Sequence, residues 1–301
     1  MVAGLVVIFR VGARALRVGQ IVGALTLAAV ACAPAPAPRS TPDLVIPRLD
    51  GDAGPPPATG AGARFGHPPA TVGAAWTVEL RAASRSPDPP GGARGEQITL
   101  YESTYRVEVL AVAGPAPSRV KLGIVRNVHT LQDRPTPTVI DGKEYVVDAR
   151  PPHVRDAAGA AASPAESERV LDIFPDLGTR ARVDQVLPDE TLAVGARHDD
   201  LAAAILRVIH PRLWTLRAGT ATLARLDGEH AVFAIDLTAT SDSGLRLQIS
   251  GEARVRLRDA RLEGLVLDGR YERPGAEATD PPGTFELRRT VTSEPEARSG
   301  R

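Results

Sequence analysis

The sequence predicts a mainly β, α+β fold: two antiparallel β meanders covered by one or two short helices, behind a Pro/Ala-rich N-terminal spacer. Three observations predict it. Apolar residues alternate with polar ones along several runs, the period of a strand with one buried face. Gly-containing turn signals separate those runs. Two short segments carry apolar residues at helical spacing instead.

The chain has 301 residues, a length that accommodates one or two domains. Its 43% hydrophobic content is enough for a packed core. There are 36 basic and 36 acidic residues, a formal charge of zero. Nothing in that balance favours a nucleic-acid partner, which requires a basic face. The single cysteine excludes a disulfide framework within the chain. The expected segments are 1–31 (leader), 32–70 (spacer), 71–150 (first β unit), 151–163 (linker), 164–292 (helices and second meander) and 293–301 (polar tail, expected to be disordered).

Residues 1–31 contain Arg10, Arg14 and Arg17 and no acidic residue. Ile21–Ala31 is an apolar run broken only by Gly23 and Thr26. It is shorter than the roughly 20 residues that span a bilayer and suits the apolar region of a secretory signal peptide. The run ends in Ala29-Val-Ala-Cys32 and passes into Ala33-Pro-Ala-Pro-Ala-Pro38. On these residues the leader resembles those of bacterial lipoproteins. The resemblance implies diacylglycerol on Cys32, a membrane partner through that lipid, and, with Ala33 after the cysteine, sorting to the outer membrane. Two or more acyl chains anchor a protein stably. Ala29 and Val30 are unusual for a lipoprotein signal, and Ala29-x-Ala31 also suits ordinary cleavage to a soluble product. Removing residues 1–31 leaves 33 basic against 36 acidic residues, a formal −3.

Residues 32–70 are rich in Pro, Ala, Gly, Asp and Thr, a composition that buries too little apolar surface to order itself. The glycines of Thr59–Gly66 follow no strand pattern and open no helix, so they are not a phosphate loop.

The first unit begins at Thr71–Arg81. Ile98–Val112 is a strand with Tyr101, Tyr105, Val107, Val109 and Ala111 on one face. Arg119–Thr130 returns, with Val120, Leu122, Ile124 and Val128 inward and Lys121 and Asn127 outward. Asp141-Gly142, between Thr138-Val-Ile and Lys-Glu-Tyr-Val-Val147, predicts a type I′ hairpin.

Ser163-Pro-Ala-Glu166 predicts a capped helix start, with Val170, Leu171 and Phe174 buried and Pro175 as the stop. Asp189–Arg197 reads as an extended arm. Asp199–Ile209 predicts a second helix whose stripe is Leu201, Ile205, Val208 and Ile209. A period-two pattern then runs from Trp214 to Thr292, with turns at Asp227-Gly228, Ser241–Gly244 and Asp259-Ala260. In Leu245–Leu257 the apolar residues face inward, and Arg246, Arg254, Arg256 and Arg258 form an outward basic strip. Val-Gly-Ala occurs at 72–74 and again at 194–196, each before a meander, which suggests two related β units.

Chemistry-bearing patterns are sparse. The six histidines, 67, 129, 153, 198, 210 and 230, show no metal-ligand spacing. His198-Asp-Asp200 matches the dipole of a helix start. No G-x-S-x-G motif is present. The basic strip reads as solvated or paired across strands, and Trp76 and Trp214 read as core anchors. The expectation is a non-catalytic cell-envelope lipoprotein without a cofactor. It would bind an apolar ligand or an envelope protein on a curved sheet, an architecture loosely similar to periplasmic lipoprotein-carrier half-barrels. The alternative is a scaffold carried on the spacer.

Overall fold

The computed structural model describes residues 62–87, 96–175, 177–209, 213–272 and 282–294. The leader, Cys32 and most of the spacer lie outside the described residues. The described strands are β1 (Gly62–Ala63), β2 (Ala75–Ser86), β3 (Gln97–Ala113), β4 (Ala116–Leu131), β5 (Arg134–Pro137), β6 (Glu144–Ala149), β7 (Pro152–Asp156), β8 (Leu192–Ala193), β9 (Trp214–Asp227), β10 (His230–Ser241), β11 (Arg246–Arg256), β12 (Leu262–Glu272) and β13 (Gly283–Ser293). The helices are α1 (Pro164–Ile173), α2 (Arg182–Val186) and α3 (Asp199–Ile209). The expected mainly β, antiparallel fold with short helices is what the chain adopts.

Eleven strands form one sheet in the order β7-β6-β4-β3-β2-β13-β12-β11-β10-β9, with β5 also on β4. The last strand of the second meander pairs with the first strand of the first one: Val291 faces Val78 and Leu287 faces Ala82. The two β units are therefore continuous across the β13–β2 seam. Every pairing in the sheet is antiparallel.

The Val-Gly-Ala repeat is real in three dimensions. Gly73 N–H donates to Val109 O, Val109 N–H to Ala74 O, and Ala74 N–H to Thr71 O. In the second half Gly195 N–H donates to Leu223 O, Leu223 N–H to Ala196 O, and Ala196 N–H to Ala193 O. Both glycines have positive φ, 84° and 87°. Val109 and Leu223 each precede a bulged residue, Leu110 and Ala224, where the ladder slips by one. After this clip the halves diverge. In the first, β2 continues along β3; in the second, one bridge at Arg197–Thr222 gives way to α3.

Several sequence expectations need correction. Asp141-Gly142 does not turn a hairpin. The reversal is at Gln132-Asp133, both in the left-handed region (φ 48° and 62°), as a type I′ turn demands. The chain then runs back along one edge of β4 as β5 and again as β6. Between them, residues 138–143 bulge away opposite only 124–127. The Asp141 carboxylate takes the place of a ladder acceptor, receiving the Asn127 N–H at 2.5 Å. Asn127 is buried, not outward, because a register slip at Thr104/Tyr105 inverts the alternation of β4. Its amide donates to Tyr101 Oη and Ser103 Oγ and accepts from Thr138 Oγ1. At Asp227-Gly228 the loop is one residue later: Asp227 pairs with His230, and Gly228 (φ 56°) leads a two-residue turn. Arg256 is buried, not solvated. Within the segment read as spacer, residues 62–70 belong to the fold: β1 pairs with β8 in a separate two-stranded sheet, Ala63 and Phe65 are buried, and Phe65 stacks on Phe233. The stretch read as linker contains β7, and β13 runs into the segment read as tail, through Ser293.

The helices lie on the sheet's apolar face. α1 begins as expected: Glu166 N–H donates to Ser163 Oγ, and Glu166 Oε2 receives the Ser163 N–H. Its buried residues are Val170 and Ile173; Leu171 and Phe174 are half-buried against the same core as Tyr105, Leu122 and Tyr145. The Glu166 carboxylate also receives Lys143 Nζ and Tyr145 Oη. These bonds, led by Lys143, hold it down to about 2. α3 has the expected bounds and packs on β9 and β10 through Leu201, Ala202, Ile205 and Ile209. Val208, expected on its buried stripe, is only half-buried.

Candidate functional site

Between the two helical covers, at the end of the sheet where β2 starts and β13 stops, lies a cavity of about 720 Å³. Its floor is Trp76 and Val78 from β2, Tyr105 and Val109 from β3, and Val291 from β13. Its roof is Ile173 and Phe174 at the end of α1, Val183 of α2 and Val208 of α3. Period-two alternation places the floor residues on one face of the sheet. α1 stops at Phe174, whose N–H still donates to Val170 O, before Pro175. That stop leaves the Phe174 ring 6.4 Å from that of Trp76.

Residues 66–71 form a strap along one side. Gly66 N–H donates to Leu257 O and Ala70 N–H to Pro115 O. His67 Nδ1 makes a short contact with the Asp184 carboxylate, which ties the strap to α2, and Pro68–Thr71 line the cavity.

The strap abuts the β11–β12 turn, which forms the next part of the wall. Arg256 grips Asp259 with two bonds, Nε to Oδ1 at 2.8 Å and Nη2 to Oδ2 at 2.6 Å, and reaches Glu263 at 2.6 Å. Burial pushes the Asp259 carboxyl up, but the Arg256 bonds and the charge of Arg261 bring it below its ordinary value. Arg261 donates to Ser293 Oγ at 3.2 Å and stacks on Trp76, 4.7 Å from the ring centroid. Ala260, buried and at φ 50°, closes the turn. Behind it, Glu263 receives His230 Nε2 at 2.7 Å, and Arg254 donates to His230 Nδ1 at 3.1 Å. Nδ1 is then the acceptor and Nε2 the proton-bearing nitrogen.

The cavity wall is basic. Arg180, Arg182 and Arg207 stand on the helical side, Arg256, Arg258 and Arg261 on the turn, and Arg289 on the sheet. The carboxylates on the wall are Asp184, Asp259 and Glu294.

The arrangement suits a ligand with an apolar body. Cys32, the residue assigned to lipidation, lies outside the described residues, as does His210. The expected basic strip divides: Arg246 is exposed, Arg254 pairs with Asp227 at 3.3 Å, and Arg256 and Arg258 line the cavity. Trp214 is a core residue as read; Trp76 lines the cavity as well as packing on the core. Asp199 and Asp200 sit in the first turn of α3, and among the described residues no three His, Cys, Asp or Glu side chains come together to hold a metal. Sequence reading missed Arg180, Arg182, Arg207 and Arg261. The only local signal was the density of arginines at 254, 256, 258 and 261 around one aspartate.

No protein-family model matches this chain, and a search of curated proteins finds no match either. Among solved structures, it is similar to one described as lipid–protein interactions in lipovitellin, at 10% identity and a TM-score of 0.41. The likeness covers 77% of this chain and 26% of that one, so the chain spans about a quarter of the other's length.

Proposed function

We propose that this protein is a non-catalytic carrier or sensor of an apolar ligand at the bacterial cell envelope, held to the membrane by lipid on Cys32. The observation that supports the binding role is the cavity of about 720 Å³ between Trp76, Tyr105 and Val291 below and Phe174, Val183 and Val208 above. Small-molecule sites fall at about 300–1,000 Å³ and are lined mainly by apolar and aromatic groups. The anchor and the outer-membrane location rest on the leader sequence, with Ala31-Cys32 as the cleavage site and Ala33 as the sorting residue.

Mass spectrometry of an organic extract of the protein purified from native membranes tests the binding role. A stoichiometric apolar compound that is lost in Val78→Trp, which fills the floor, is the expected result. An empty protein that takes up no fatty acid, phospholipid or hydrophobic dye defeats it. The anchor is tested by metabolic labelling with palmitate: Cys32→Ser should lose label and leave the membrane fraction, and an unlabelled wild type rules the anchor out.

A further inference from the structure

The charge on the cavity wall is lopsided. Seven arginines face three carboxylates, an excess of four positive charges. The carboxylates answer part of it: Asp184 lies 4.0 Å from Arg180 and also contacts His67 of the strap, and Arg256 is matched by Asp259 and by Glu263 just off the wall. Asp259 is taken by Arg256 and lies 3.7 Å from Arg261. Glu294 is gripped by Arg106, which is not on the wall, through Nε at 2.7 Å and Nη2 at 2.8 Å.

Three further arginines face the cavity: Arg258 and Arg261 from the β11–β12 turn and Arg207 from α3, whose carbonyl receives Arg182 Nη1 at 3.3 Å. Arg261 is braced by Ser293 and by the Trp76 ring, so its guanidinium is positioned before a ligand arrives. Burial lowers the Arg261 guanidinium from its ordinary value, against the opposing charges of Asp259 and Glu263. Planar guanidinium groups pair best with carboxylate or phosphate oxygens.

Building on the apolar-ligand reading, we infer that the ligand is an anionic amphiphile. Its chain lies along Trp76, Val78 and Val291, and its carboxylate or phosphate head lies among Arg258, Arg261 and Arg207. The arginines then set specificity for the head and the sheet supplies affinity for the chain.

The test is fluorescence titration of the full chain with cis-parinaric acid and with its methyl ester, at low salt and at high salt. The acid should bind about tenfold more tightly than the ester, the ratio expected of one charge-assisted contact or more. High salt should narrow that ratio. R258Q and the double variant R258Q/R207Q, changes at exposed side chains, should reduce the ratio stepwise towards one. Competition by a short-chain phosphatidylglycerol, a fatty acid and a short-chain phosphatidylcholine then separates phosphate from carboxylate heads; displacement by the zwitterionic lipid as readily as by the anionic ones counts against the inference. Equal binding of acid and ester by the wild type overturns the head-group inference and leaves the apolar cavity standing. Binding of neither overturns both.

Discussion

The guanidinium of Arg261 stacks on the indole of Trp76, 4.7 Å from the ring centroid, and joins the β11–β12 turn to the first residues of β2 across the β13–β2 seam. A desolvated stack of this kind contributes about 1–2 kcal/mol. It also makes Trp76 a reporter. The chain has two tryptophans, and Trp214 is 8% exposed in the core. In a Trp214→Phe background, ligand entry should change the emission of Trp76. Unchanged emission at a ligand concentration that saturates an independent binding signal would place the ligand elsewhere.

Arg256 neutralises two carboxylates that are themselves largely buried, Asp259 and Glu263. Arg256→Met keeps the apolar stem and removes the charge. It should lower the unfolding free energy by about 3 kcal/mol, because removing one partner strands the others. Urea unfolding measures this. Combining it with Asp259→Asn should cost less than the sum of the two single changes.

His129 lies beside Tyr101, ring centroids 4.8 Å apart, under α1. Burial, assisted by the charge of Arg169, pushes the imidazole down to about 4 from an ordinary 6.5. The folded value is the lower one, so between these values the unfolded chain binds more protons. Stability is then fully present above about pH 6.5 and is lost as pH falls through about 4. The contribution is on the order of 2 kcal/mol after allowing for partial exposure. His129→Gln should flatten that part of the pH–stability curve, measured by urea midpoints from pH 4 to 7.

Gly66 holds the strap against the turn. A Cβ there would sit 2.3 Å from Arg258 O, a backbone atom that cannot swing aside. Gly66→Ala should push the strap off the sheet at a cost of about 1–3 kcal/mol. Hydrogen exchange at Gly66 and Ala70 and proteolysis within 64–70 should rise, and ligand release should quicken.

The twin clips at Gly73 and Gly195 make the same bonds in the same left-handed geometry. Nothing crowds a Cβ at either glycine, so only backbone strain opposes a side chain there. Gly73→Ala and Gly195→Ala should each cost about 1 kcal/mol. A large difference between them in thermal unfolding would show that the two halves do not use the clip alike.

Legibility followed range. The α1 start was readable because Ser163, Pro164 and Glu166 satisfy one another within four residues. The bounds of α3 were readable because its apolar stripe is self-contained. The Asp141-Gly142 hairpin was misread because the same dipeptide serves a bulge when a neighbouring strand, β4, offers Asn127 N–H to the aspartate. Asn127 and Arg256 were misplaced for a related reason. A bulge inverts the alternation of β4, and the partners of Arg256, Asp259 and Glu263, come from the following turn and the next strand.

By itself the sequence determined a mainly β chain with two short helices, its turn-rich rhythm and the repeated Val-Gly-Ala clip. Those features rest on backbone preferences and one-sided burial, which act over a few residues. Only the tertiary structure decided that Val291 would pair beside Val78, that β5 and β6 would share an edge of β4, and that arginines from α2, α3 and the β11–β12 turn would surround one apolar cavity. Such meetings are set by which long-range ladder buries the most apolar surface with every backbone group paired, and no window of sequence contains that sum.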